Sequence, residues 1–247
     1  MKNIFVKALF LTAFFVGFCG AAQAQIRQSV YLNGNIPVGQ FAGKVDASHT
    51  TVPLTYKQIG KEAAVGFGAG YRVSYRFDVG VGMVSPFASV DLFWNMLGGK
   101  WRDKYENVDM SMPTYFNIPV MAGVSYLYDR MWSTLTPFAE FAVGADFMLI
   151  TREGNAFKKN GNNDYYYAYK TGSDIAWMLG LGTYFGRHVS VGAYYYNLGR
   201  HTIDYTNRTL QYNDVAATEY SMDQVSGNFQ RQRRTVGNFA LRIGFHF

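Results

Sequence analysis

Four histidines, His49, His188, His201 and His246, are the side chains in this sequence best suited to proton transfer near neutral pH. His188 stands two residues before Ser190, so an extended strand carries both on one face, a base beside a hydroxyl nucleophile. His201 and Asp204 offer two metal donors, and no third ligand follows at a useful spacing. The 26 glycines form no phosphate-cradling loop, because many of them alternate with larger residues. No metal and no cofactor is expected. A second set of chemistry-bearing residues is charged: Arg72, Arg76, Asp91, Glu140, Asp146, Asp174 and Arg242 each recur at alternate positions beside apolar neighbours. Three arginines against four acids make a nearly balanced group, which suits a paired polar network.

The elements that carry these residues are strands. From Val65 to Phe77 the odd positions are Val, Phe, Ala, Tyr, Val, Tyr and Phe, and the even ones are Gly, Gly, Gly, Arg, Ser and Arg. Period-two alternation of this kind gives one apolar sheet face and one small or charged face. The stretch exceeds the ~9–11 residues with which a tilted strand crosses a bilayer. Ala88, Val90, Leu92 and Trp94 alternate with Ser89, Asp91, Phe93 and Asn95 in the same manner. So do Ala139 to Phe147 around Glu140, Gly144 and Asp146; Ile175 to Leu181 around Gly180; and Phe239 to Phe247 around Asn238, Arg242, Gly244 and His246. Tyr194, Tyr195 and Tyr196 occupy both faces and leave their strand less clear. Eight strands are read, at 27–38, 63–77, 86–96, 114–127, 135–150, 174–185, 188–200 and 235–247. Their connections alternate long and short, as in bacterial barrels with short periplasmic turns and longer outer loops. The last loop, Thr202 to Arg234, is the longest and leaves room for hairpin extensions or for two more strands, making ten.

The N-terminus explains how such a chain reaches a membrane. Lys2 and Lys7 precede an apolar run from Ala8 to Ala22, and Ala22-Gln23-Ala24 has the small-x-small form of a cleavage site. Residues 1–24 read as a secretory signal peptide, with a mature chain from Gln25. Its removal takes away Cys19, the single cysteine, and with it any disulfide, thiolate metal site or cysteine nucleophile. The formal charge of +6 falls to +4 without Lys2 and Lys7, modest for the length. Export also argues against nucleic acid as a partner. Aromatic residues are 17% of the chain, enough for two interfacial girdles. Trp94, Tyr115, Phe147 and Trp177 are placed at the outer end, and Phe77, Phe87, Tyr126, Tyr128, Trp132, Phe185 and Phe247 at the periplasmic end. The expectation is an all-β chain, residues 25–247 forming one antiparallel up-and-down transmembrane β-barrel in the outer membrane.

With the signal peptide, the Gly-interleaved strand Val65–Phe77 and the ending Phe239-Ala-Leu-Arg-Ile-Gly-Phe-His-Phe247, the chain resembles the small outer-membrane barrels of OmpA/OmpX type, the porin family. It is also similar to PorT-like barrels that accompany a secretion system. The resemblance implies that Phe245 and Phe247 of the last strand are read by the barrel-assembly machinery. His188-Val-Ser190 resembles the His-x-Ser of a lipid A deacylase family. The match departs from that pattern in two ways: it lies at the expected periplasmic end, and Thr202 stands where the partnering acid is sought. Catalysis is therefore not expected.

Eight strands enclose a space about wide enough for side chains alone. The seven interior charges read either as a plug that fixes the register or as the lining of a narrow ion path. In the outer segments, Lys44, Lys57, Lys61, Lys100, Arg102, Lys104, Lys158, Lys159, Lys170, Arg231, Arg233 and Arg234 either pair with lipopolysaccharide phosphates or are merely solvated. Asn162-Asn-Asp-Tyr-Tyr-Tyr-Ala-Tyr-Lys170 suits protein or glycan contact, and equally a strand extension above the membrane. The leading expectation is a largely closed barrel that acts through its wall and its loops. The alternatives are a small porin-like channel and a lipid A-modifying enzyme.

Overall fold

The computed structural model describes residues 26–42, 62–98, 112–128, 134–151, 153–154, 163–170, 172–211, 218–220 and 232–247. Eight long strands form the barrel: β1 Ile26–Val38, β2 Ala63–Tyr75, β3 Met83–Leu97, β4 Tyr115–Leu127, β5 Leu135–Ile150, β6 Gly172–Phe185, β7 Val189–Gln211 and β8 Gln232–His246. Each pairs antiparallel with its neighbours in sequence, and β8 closes on β1 with Ser29 opposite His246 and Val38 opposite Gly237. Closure leaves no open edge at bilayer depth, which a strand structure needs when no water is there to satisfy its backbone.

The stagger follows from the pairings. Gly34 faces Phe67 directly across β1 and β2. Followed the other way round, Gly34 leads through Leu241, Ala193, Leu181, Ala139, Tyr126 and Val84 to Phe77. The two arrival points are ten residues apart on the chain after β1. An eight-stranded barrel with such a shear tilts its strands by roughly 35–45° and fills its interior with side chains.

Alternation decides what faces where. Val30, Leu32, Val65, Phe67, Val90, Leu92, Phe141, Val143, Leu179, Leu241, Ile243 and Phe245 are exposed on the outer wall, with Ile175 76% and Leu181 66% exposed. Ser29, Asn33, Arg72, Asp91, Asn117, Glu140, Asp146, Asn238 and Arg242 are buried inside. A continuous apolar wall around a polar interior inverts the arrangement of a water-soluble protein and requires lipid outside. No helix among the described residues is long and apolar enough to cross a membrane.

The three consecutive tyrosines follow the same rule: Tyr194 and Tyr196 are buried inside and Tyr195 faces out. Two girdle assignments are corrected. Phe87 and Tyr115 are 2% and 3% exposed, inside the barrel. They share parity with Ser89 and Asn117, and parity outranks residue type in a strand. Trp132 lies outside the described residues. Phe77, Tyr126, Tyr128, Phe147, Phe185 and Phe247 do face outward.

Among the described residues the long outer connection holds strand extensions, and the wall closes with eight strands. β7 runs on past a register shift between Asn197 and Arg200, where Gly199 has φ +88°, a left-handed turn that glycine adopts without steric cost. Beyond it, Asp204–Gln211 pairs with Asn163–Lys170, and Asn207–Thr209 pairs with Thr218–Tyr220. Glu153–Gly154 adds a short outer strand against Tyr166 and Tyr167. A small sheet thus continues the barrel wall at its outer end. The expected signal peptide, residues 1–24, lies outside the described residues, as do His49 and most of the basic loop residues from Lys44 to Arg231.

Candidate functional site: the barrel lumen

The lumen is built as layers, because inward residues on neighbouring strands arrive at similar heights. Nearest the periplasm, β8 brings His246 between two hydroxyls. Its Nδ1 lies 2.7 Å from Ser29 Oγ on β1, and its Nε2 lies 2.8 Å from Ser190 Oγ on β7. Ser190 therefore meets a histidine, but His246 and not His188, whose own Nδ1 lies 3.1 Å from the His246 carbonyl oxygen. The sequence spacing missed this because strand pairing, not proximity along the chain, sets the neighbour. The far side of the imidazole is held by a serine where a hydrolytic triad has an acid.

The next layer is an ion pair. Arg72 on β2 donates through Nη1 to Glu140 Oε1 on β5 at 2.6 Å and through Nη2 to Ser125 Oγ on β4 at 2.5 Å. Ser125 itself donates to Glu140 Oε1 at 3.0 Å, and the Phe87 ring centroid lies 3.6 Å from the Arg72 guanidinium carbon. Both charged side chains are almost fully buried, where an unpaired charge is costly and a hydrogen-bonded pair is tolerable.

Above it sits a second pair. Arg242 on β8 donates to Asp91 Oδ1 on β3 at 2.9 Å and to Asn33 Oδ1 on β1 at 3.0 Å, and also bonds the Tyr196 hydroxyl. Its guanidinium carbon is 3.7 Å from the Tyr31 ring centroid and 4.1 Å from that of Tyr194. Aromatic faces favour a cation held this way. The rings fit because glycines stand opposite: a Cβ at Gly70 would collide with the Tyr31 ring, and one at Gly180 with the Tyr194 ring.

The outer layer holds two acids, Asp146 on β5 and Asp174 directly opposite it on β6, and one ion pair. His201 Nε2 lies 2.9 Å from Asp146 Oδ2 and donates to the Leu198 carbonyl oxygen at 2.8 Å. Around this level Asn35, Asn117 and Asn238 are fully buried, and neither amide atom of any of them has a hydrogen-bond partner. Over the top, Phe41 turns back from the 3-10 turn Gly39–Phe41 and packs edge-on against Tyr115, centroids 5.4 Å apart. Leu97, Leu198 and Val236 belong to the same buried apolar cluster.

The seven interior charges fall into several groups. Arg72 with Glu140 and Arg242 with Asp91 are separate pairs in separate layers. Asp146 meets His201, a partner the sequence reading placed elsewhere. Asp174 accepts from the backbone N–H groups of Ile175 at 2.8 Å and Arg200 at 2.5 Å, pinning the β7 irregularity. Arg76 lies at the periplasmic rim, 4.8 Å from the Tyr184 ring centroid. Phe245 and Phe247 face outward on the last strand. No cluster of three or more metal-binding side chains occurs among the described residues.

A closed antiparallel barrel with an apolar wall is how strands cross a bacterial outer membrane. The chain is an outer-membrane β-barrel. No family model and no curated protein matches its sequence. Among solved structures it is similar to a major outer membrane protein from Thermus thermophilus, at 15% identity and TM-score 0.46 over 90% of this chain and 99% of that one. It is similar to the Neisserial surface protein A at 10% identity and TM-score 0.44, covering 91% of this chain and 98% of that one. It is also similar to Ail, the attachment invasion locus protein of Yersinia pestis, solved with the heparin analogue sucrose octasulfate, at 12% identity and TM-score 0.39, covering 92% and 100%. These likenesses are slight, and the membrane placement rests on the barrel's own wall.

Proposed function

We propose that this protein is a closed, non-catalytic barrel that anchors in the outer membrane and acts at the cell surface through its extracellular sheet. The observation that carries the reading is the filled lumen. Two buried arginine–carboxylate pairs cross it at different heights, wrapped by Phe87, Tyr31, Tyr194 and Tyr196, and Phe41 is buried against Tyr115 toward the outer end. An ion following the axis would have to break these pairs inside a low-dielectric wall.

The surface role rests on how β7 continues above the wall. The pairing sets Tyr165, Tyr167 and Tyr169 opposite Thr209, Asn207 and Tyr205, and Asn207 opposite Tyr220. Tyrosine interleaved with small polar residues is the composition of adaptable contact surfaces, so a protein or glycan is the expected partner, with lipopolysaccharide beside the basic outer residues. The non-catalytic reading is supported by the Ser190–His246–Ser29 contacts, in which a serine stands where a triad has its orienting acid. Assembly through Phe245 and Phe247 completes the reading.

Single-channel recording of the refolded, signal-free protein in a planar bilayer tests it. Silence is expected; steady, reproducible current steps would replace it with the channel reading. The channel reading has one observation in its favour, the unpartnered amides of Asn35, Asn117 and Asn238, which are the inner groups that hydration would satisfy. For the enzyme alternative, lipid A mass should be unchanged on expression, and a shift lost in Ser190→Ala would reverse the assignment.

A further inference from the structure

The periplasmic mouth gathers cations that no described carboxylate pairs with. Arg27 lies at the start of β1, Arg76 follows β2, and Arg187 and His188 form the turn between β6 and β7. Arg27 Nη1 donates to the Arg187 carbonyl oxygen at 3.2 Å, so its side chain reaches across the end of β8. Across β1 and β2 Arg27 stands opposite Ser74, two residues before Arg76. Arg76 stands over Tyr184, whose ring centroid lies 4.7 Å from that of His246. Its Nε is buried and has no hydrogen-bond partner.

The contrast with the lumen above is chemical. Arg72 and Arg242 each have a carboxylate within 3 Å. Among the described residues no carboxylate forms an ion pair with Arg27, Arg76 or Arg187. Asp78, the acid of the adjacent turn, is engaged with the Gly80 N–H at 2.7 Å. Like charges brought together repel unless an anion sits between them, and a group of guanidinium forks is the chemistry that binds phosphate through paired hydrogen bonds. Height narrows the source. Phe77, Phe185, Phe245 and Phe247 are exposed on the outer wall at this end, where aromatic residues mark the level of lipid headgroups.

We propose that the periplasmic mouth is a phosphate-binding site in which Arg27 and Arg76 grip the oxyanion and Arg187 and His188 edge it. The phosphate comes either from free anion in the periplasm or from an inner-leaflet phospholipid headgroup. The site is independent of the surface role proposed above and does not depend on whether the lumen conducts.

The test is the arginine side-chain Nε–H spectrum of the refolded barrel in maltoside micelles, titrated first with inorganic phosphate and then with dihexanoylphosphatidylglycerol. Saturable shifts of the Arg27 and Arg76 signals, with Arg200 at the outer end unmoved, are expected. Saturation by inorganic phosphate identifies free anion as a sufficient ligand; saturation by the lipid alone identifies a headgroup. Arg76→Gln should weaken binding about tenfold, the loss expected for a charge-assisted contact, and Arg27→Gln likewise. Unheated gel mobility checks that each variant is folded. No saturable shift with either probe overturns the proposal. Equal shifts at Arg200, or binding unchanged in folded Arg76→Gln and Arg27→Gln, also overturn it.

Discussion

The inner half of the lumen and its outer half solve the same packing problem with different chemistry. Toward the periplasm the interior carries full charges, and Glu140 and Asp91 each sit against an arginine with further hydrogen bonds around it. Toward the outside the His201–Asp146 pair is surrounded by neutral amides, and there Asn35, Asn117 and Asn238 have neither amide atom partnered, whereas in the inner half Asn33 keeps one partnered atom and lacks the other. The difference follows from cost. An uncompensated buried charge costs several kcal/mol, whereas an unpaired neutral amide costs about 1–3 kcal/mol. Each fully buried carboxylate, Asp91, Glu140 and Asp146, accordingly has a cationic or imidazole partner, while three neutral amides go without one. The two arginine pairs link β2 to β5 and β3 to β8 across the lumen, and the amides of the outer half are the groups whose replacement is expected to stabilise.

The largest expected effect comes from breaking the inner half. Arg72→Leu strands Glu140 and should cost about 3–5 kcal/mol, read as a lower urea midpoint in lipid vesicles. An unchanged midpoint would mean that the pair does not support the fold. Changing both partners, Arg72→Leu with Glu140→Leu, should recover most of that loss, since a buried pair exchanged for apolar residues is often neutral; a double variant as weak as the single would show that Ser125 or Phe87, and not the charge balance, carries the layer. Next in size is Gly70→Ala. Its Cβ would displace the Tyr31 ring from Arg242, at about 1–3 kcal/mol for overpacking, and heat-modifiable gel mobility should be lost at a lower temperature. The smallest effect lies in the outer half and has the opposite sign. Asn117→Leu removes two unpartnered buried atoms at similar volume and should raise the urea midpoint by the equivalent of about 1 kcal/mol. A lower midpoint would show that Asn117 has a partner in the membrane-embedded protein.

These differences mark what was legible beforehand. Strand parity is a local property, so Val65–Phe77, Ala88–Asn95 and Phe239–Phe247 display their lipid and lumen faces in the order of residue types alone. The same rule disposes of Phe87 and Tyr115, which aromatic character suggested for the girdles and parity turns inward. The candidate site was legible only in part. Arg72, Asp91, Glu140, Asp146 and Arg242 could be placed inside, but not paired. The serine of His188-Val-Ser190 could be noticed, but the imidazole that reaches it is His246, a cross-strand neighbour.

What the sequence by itself determined is therefore the architecture: alternating faces, the eight segments, and connections long on one side and short on the other, because each depends on residues a few positions apart. Only the tertiary structure decided the partners. Arg72 and Glu140 are 68 residues apart in sequence, and Arg242 and Asp91 are 151 apart. Such residues meet only after β8 has closed on β1 with its particular stagger, and that stagger is a property of the whole ring of strands.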